Sequence, residues 1–296
     1  MDTLETLRKR IATTEDLQSI VGTMKALSAV SIRQYEEAVA ALRDYSRTIE
    51  LGLQVVLQRN GPAMAARATV PAPVLAIVFG SDHGLCGRFN HEIAHFAQRA
   101  LADAPAGTRY LVAGARPAAV LEAMGETVEQ DFLLPGAVGG LSGTVHRILG
   151  AIDARRAQEP ATRARLFYNR RTTGGAAVPT SLPLLPLDPG WLAGLAQRRW
   201  AGRSLPSFTM SAEALLAALV RQHLFIGLFR AAAESAASEH ATRLAAMQAA
   251  ERNIEERLGE MNADYRRKRQ DSITEELLDL VSGFEALKPA ERLGQD

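Results

Sequence analysis

The apolar pattern is longest and most regular toward the end of the chain. Between Met210 and Leu287 the residues are mostly Ala, Leu, Glu, Arg, Gln and Met. Glycine occurs there only at Gly227, Gly259 and Gly283, and no proline falls between Pro206 and Pro289. These are good helix formers, and the stretch predicts one helix. At 1.5 Å per residue it would run roughly 115 Å, too long to pack inside a small domain. Leu244, Met247, Ile254, Leu258, Met261 and Tyr265 fall on alternating steps of three and four, with Glu251 at the interrupted position. After a shift the stripe resumes at Ile273, Leu277, Leu280, Phe284 and Leu287. A stripe of this spacing wants a partner helix. A long amphipathic helix lying on a globular core would show short heptad runs too, but the length argues against it.

The partner is expected at the other terminus. From Thr3 to about Gln58 there is no proline, and glycine appears only at Gly22 and Gly52. Leu4, Leu7 and Ile11 begin a stripe. Leu17, Ile20, Met24 and Leu27 continue it, and Tyr35, Ala38, Leu42, Tyr45, Ile49 and Val56 complete it. Such a helix would be roughly 80 Å long. Two terminal helices can pair antiparallel only if the middle of the chain forms a separate body, which places Met24 opposite Ile273 or a neighbour. Asn60-Gly61-Pro62 ends the first helix, and residues 61–73 read as a linker.

In the middle the period changes. Val74–Phe79 is a continuous apolar run, as a strand buried on both faces would be. Strands are expected at Arg109–Ala113, Thr127–Phe132 and Arg165–Asn169, and helices at Gly87–Ala102, Arg116–Met124 and Gly140–Ala157. Val178–Leu187 is extended and broken by proline, so it belongs at a sheet edge. This alternation predicts an α/β layer with a mainly parallel sheet. The fold class is thus a central Rossmann-like α/β domain plus a long antiparallel coiled coil. The expected boundaries are 1–60 for the first coiled-coil helix, 70–206 for the α/β domain, 207–288 for the second helix and 289–296 for a polar tail.

Composition adds limits. Of 296 residues, 47% are hydrophobic and only 5% aromatic, a mix suited to helical packing. The net charge of +1 gives no global attraction to nucleic acid or to an anionic membrane. The single cysteine, Cys86, excludes an internal disulfide and fits a reducing compartment. The N-terminus has no apolar signal core, and no run approaches the roughly 18 apolar residues of a membrane span. Membrane association is expected only through partners.

The turn Gly80-Ser81-Asp82-His83-Gly84-Leu85-Cys86-Gly87 follows the first strand and leads into a helix, a place where phosphate can bind. It is neither a dinucleotide fingerprint nor a P-loop, so its glycines read as a tight turn. Cys86 near a helix start could have a lowered pKa, but no base accompanies it, and a buried structural thiol is the reading. His91 and His95, four apart, make half a metal site with no third ligand. No cofactor and no catalytic residue is expected.

Three stretches resemble the γ subunit of rotary F-type ATP synthases. One is Leu7-Arg8-Lys9-Arg10-Ile11 with Gln18, Ile20 and Met24-Lys25. The second is Ser81-Asp82-His83-Gly84-Leu85-Cys86-Gly87-Arg88-Phe89-Asn90. The third runs from Glu234 to Arg243, through Ala246-Met247, Asn253, Tyr265, Arg269-Gln270 and Ser272–Leu277, to Val281-Ser282-Gly283. The resemblance implies a non-catalytic rotor on the cytoplasmic side of a bacterial inner membrane. Its coiled coil would stand in a ring of three α and three β subunits, with its foot beside the ε subunit on a membrane ring of c subunits. It implies β-subunit contacts at Met24, Arg243, Arg269, Gln270, Thr274 and Glu276. The chain departs from the family pattern at Gly22, Ser31, Ala250–Asn253 and Ser207–Ser211, which suggests a divergent, ion-pumping N-type branch beside the ordinary synthases. Two other readings remain open on the sequence: a homodimeric coiled-coil scaffold and a nucleotide-binding α/β enzyme.

Overall fold

The computed structural model describes residues 3–61, 72–105, 107–172, 177–200, 202–204 and 206–287. Most of the expected linker and all of the expected polar tail lie outside them. The elements are α1 (Leu4–Asn60), β1 (Val74–Phe79), α2 (Phe89–Ala100), β2 (Arg109–Ala113), α3 (Ala115–Ala123), β3 (Val128–Phe132), α4 (Leu141–Gln158), β4 (Arg163–Arg171), β5 (Ala177–Leu185), α5 (Pro189–Gln197) and α6 (Ala212–Leu287). The chain divides into two compact units, residues 1–25 with 247–296 and residues 26–246.

The larger unit is built on a five-stranded sheet of order β3-β2-β1-β4-β5. β1 pairs parallel with β2 and β4, β2 pairs parallel with β3, and β5 runs antiparallel at the edge. Pro179 and Pro183 suit β5 to that edge, because neither can donate to a further strand. All of β1 is buried because both its faces are covered. Val74, Ala76 and Val78 meet Ile93, Ala94 and Ala97 of α2 and Leu121 of α3. Leu75, Ile77 and Phe79 meet Val145 and Ile148 of α4 and Leu228 and Ala231–Ala233 of α6. The run of alanines lets α6 lie close to the sheet.

The terminal helices run antiparallel within each unit. In the larger one the Tyr35 ring stacks on His240 at 5.8 Å between centroids, and the Tyr45 hydroxyl meets Gln222 at 2.9 Å. In the smaller one Lys25 Nζ donates to both carboxylate oxygens of Glu251, at 2.7 and 2.6 Å. The expected α6 seam is present: Met247 and Leu258 are buried, and Ile254, Met261 and Tyr265 are partly so. Its polar interruption, Glu251, is the residue that Lys25 answers.

Three expectations about the helices need correction. Leu17, Ile20 and Leu27 are not in the α1 seam but exposed, at 49, 55 and 63%. The seam keeps its steps of three and four through Leu7, Ile11, Thr14, Gln18, Val21, Lys25, Ser28, Ile32 and Tyr35, all buried or half-buried. Its middle is polar, so apolarity alone pointed to the wrong face. Met24 does not face Ile273: with Lys25 on Glu251, position 273 lies about 33 Å further along α6 at 1.5 Å per residue. The stretch joining the sheet to α6, placed within the α/β domain by the boundary at 206 and with no helix expected in it, holds α5. Asp188 caps it by accepting from Gly190 N at 2.9 Å, and Leu192 and Leu195 pack on Ile49, Leu53, Val56 and Leu216.

A fourth correction concerns hydropathy. α6 contains an 18-residue window of mean hydropathy 1.4, enough by length and composition for a spanning helix. Its apolar residues have partners instead: Leu224, Leu228 and Phe229 face the sheet and α4, while Leu216 and Ile226 face α1 and α5.

Candidate functional site

Two regions bear on function: the glycine turn after β1, where α6 crosses the sheet, and the far part of α6. The turn lies where the strand order reverses, since β1 leads to β2 on one side and neighbours β4 on the other. Open α/β sheets bind ligands at the carboxyl end of such a point.

Here that position is filled by the chain itself. Ser81 N donates to Asn90 Oδ1 at 2.9 Å, and Asn90 Nδ2 returns a bond to Ser81 Oγ at 2.8 Å. Asp82 binds two backbone amides, Ala115 N at 2.8 Å and Leu134 N at 2.7 Å, and so pins the starts of α3 and of the segment after β3. Glycine is required at Gly114, which has φ 114° and where a Cβ would stand 2.7 Å from Ser81 N. From the other side Ser235 Oγ donates to Phe79 O at 3.3 Å, and Arg243 Nη2 donates to Gly84 O at 3.3 Å.

Arg243 is the centre of this junction. It is 6% exposed and pairs with Glu239, itself 7% exposed, at 2.5 Å. Burial pushes the Glu239 carboxyl up and Arg243 pulls it back only in part. His240, against Arg243 and Tyr35, is held down to about 4 by burial and then by the guanidinium, so it is neutral. The Cys86 thiol is buried and raised by that burial, as suits a structural thiol and not a reactive one.

The six residues singled out by resemblance do not form one cluster. Met24 is half-buried on α1. Arg243 turns its guanidinium into the chain. Arg269, Gln270, Thr274 and Glu276 are exposed on α6 and spread over about 160° of its circumference at 100° per residue. Thr274 Oγ1 donates to Gln270 O at 2.9 Å, an ordinary bond of a threonine inside a helix. Arg269 makes no ion pair among the described residues, so the alternative pairing with Glu275 or Glu276 is not formed. Glu239 and the Lys25–Glu251 pair were missed by sequence reasoning. Glu239 had a signal, since an Arg lies four residues on from it. His91 and His95 are exposed, and among the described residues no three metal-ligating side chains converge.

Beyond Tyr265 the large side chains of α6 are uncovered. Ile273 is 48% exposed, and Leu277, Leu280 and Phe284 reach 57, 70 and 70%. The stripe expected there is real in sequence but meets no partner among the described residues.

Comparison with known proteins gives a consistent picture. A family model described as ATP synthase matches residues 3–287. An ATP synthase gamma chain from an Anaeromyxobacter species is 31% identical, over 97% of this chain and all of the relative. One from Brucella anthropi is 27% identical with the same coverage. Among solved structures, a chain from the OSCP/F1/c-ring of the Euglena gracilis mitochondrial ATP synthase aligns with TM-score 0.64 at 17% identity, over 99% of this chain and 97% of that one. A chain from the central stalk/c-ring of the Tetrahymena thermophila enzyme gives 0.57 at 19%, over 78 and 99%. At these identities the structures speak for the fold alone.

Proposed function

This chain belongs to the ATP synthase gamma-chain family, and we propose that it is the central-stalk rotor of such a complex, coupling transmembrane ion flow to ATP synthesis or hydrolysis. Its partners are the α and β subunits, the ε subunit and a membrane c ring. It sits peripherally on the cytoplasmic side of a bacterial inner membrane and reaches the membrane only through partners. It contributes no catalytic group; the nucleotide chemistry belongs to the β subunits.

The observation that carries this reading is the uncovered end of α6. Six large apolar side chains between Ile273 and Phe284 stand 48 to 70% exposed. Isolated in water such a surface invites aggregation, whereas in a surrounding sleeve it is a bearing. Just before and among them, Arg269, Gln270, Thr274 and Glu276 offer guanidinium, amide, hydroxyl and carboxylate groups to loops of the sleeve. With Met24 they are the proposed β contacts. Arg243 acts in this scheme from inside, by holding α6 to the turn. The filled crevice after β1 supports the non-catalytic assignment over a nucleotide-binding enzyme. Co-expression with the α and β subunits tests the proposal. A stable complex with ATPase activity dependent on this chain is expected. A discrete homodimer that ignores both subunits would favour the scaffold reading and overturn the rotor.

A further inference from the structure

A groove of about 480 Å³ lies between α2 and α3, within the larger unit. His91 and His95 stand on its α2 side, and Arg116, Val120 and Met124 on its α3 side. The histidines belong to the run His91-Glu92-Ile93-Ala94-His95, which has the spacing H-E-x-x-H on a helix. The two residues inside the run, Ile93 and Ala94, are fully buried and pack on β1. That burial fixes the rotation of α2 and leaves His91, Glu92 and His95 in solvent. Neither imidazole has a hydrogen bond, ion pair or ring contact among the described residues.

We propose that His91 and His95 bind a divalent transition-metal ion as a chelating pair, with water completing its coordination. Helical positions four apart differ by about 40° in direction and about 6 Å in height, and their Cβ atoms lie about 5–6 Å apart. Imidazoles so placed can bring one ring nitrogen each to about 3 Å separation, which is what two ligands at about 2.0–2.1 Å from one ion require. The ligand type selects the metal. Imidazole suits Cu²⁺ and Zn²⁺, whereas Mg²⁺ and Ca²⁺ take oxygen ligands. Cu²⁺ should bind more tightly than Zn²⁺, the usual order for such sites. Arg116 opposes a cation in the groove and Glu92 favours one, but both are exposed, so solvent and salt screen them. A catalytic zinc has three protein ligands. With two, the ion stays exchangeable, and the site is one of binding and not of hydrolysis.

The test titrates the full chain, first stripped with EDTA, with CuCl₂ and with ZnCl₂ in excess MgCl₂, followed by calorimetry. Binding that Mg²⁺ does not displace is expected for both ions. His91→Asn or His95→Asn removes the chelate and should weaken it by about tenfold or more, since even outer-shell partners of metal ligands contribute about 10- to 100-fold. Both positions are exposed, so melting in EDTA should be the same in the variants as in wild type. A second measurement needs no variant. Electron paramagnetic resonance of the wild-type Cu²⁺ complex should show coupling to two imidazole nitrogens. No binding, binding undiminished in the two variants, or a Cu²⁺ spectrum with one imidazole or none overturns the proposal. The measurements are made on the chain alone, so their failure leaves the rotor reading untouched.

Discussion

Replacing Arg243 by Met should damage the larger unit far more than a helix-surface substitution would. The guanidinium is 6% exposed, and its removal leaves the Glu239 carboxylate buried without its counter-charge. Breaking a buried pair in this way costs about 3–5 kcal/mol. For a unit spanning residues 26–246 that corresponds to a melting point lower by about 6–20 °C. The penalty should depend on pH with a definite sign. Burial already raises Glu239 above its ordinary value of 4.5, and loss of Arg243 removes the influence that lowers it. A group whose folded pKa is raised gives stability that is present below the unfolded value and lost as pH rises through the folded one. The variant should therefore approach wild type below about pH 4.5 and fall furthest behind at neutral pH. Glu239→Gln in the Arg243→Met background should recover much of the loss, because no charge is then left buried. Calorimetry of the three proteins between pH 4 and 8 checks this. A melting point unchanged in Arg243→Met, or a penalty constant across pH, would show that the pair is open to water and the reasoning wrong.

Three further outcomes are expected. Arg269, Gln270 and Thr274 changed together to Ala should shift the isolated chain's stability by no more than about 0.5 kcal/mol, yet lower coupled ATP hydrolysis of the complex; normal coupling would reduce these side chains to a solvated face. Cysteines at Lys25 and Glu251 should crosslink within one chain and cysteines at Met24 and Ile273 should not; the reverse result would refute the register of the smaller unit. Calorimetric titration of the full chain with NAD, ATP or ADP should show no micromolar binding, because the crevice after β1 is occupied by Ser235 and Arg243.

Much of the fold was legible because its signals are periodic. The six apolar residues of β1 read as a doubly covered strand, and the prolines of β5 placed it at an edge. The α6 stripe from Leu244 to Tyr265 predicted its own seam. On α1 the same reasoning chose the wrong face. There the middle of the seam is polar, at Thr14, Gln18, Lys25 and Ser28, so hydrophobicity does not mark its face. Lys25 against Glu251 is the example, since neither residue alone announces the other. Helix α5 was hidden because its turn-like start, Asp188-Pro189-Gly190, is also a good helix cap. Among the site residues, Arg243 could be placed on α6 from sequence, but not inside the chain, because burial of a charge depends on the turn it meets more than 150 residues earlier in sequence. The exposed four on α6 were legible as a face, and their role depends on what surrounds them.

The rotor claim is tested most directly by watching the chain turn. Leu133 is 65% exposed and Cys86 is buried, so a Leu133→Cys variant can carry a single attached bead. With the α and β subunits fixed to a surface and ATP supplied, the account predicts unidirectional rotation of the bead in three equal steps per turn. ATP hydrolysis by the same complexes with beads that stay still would contradict it.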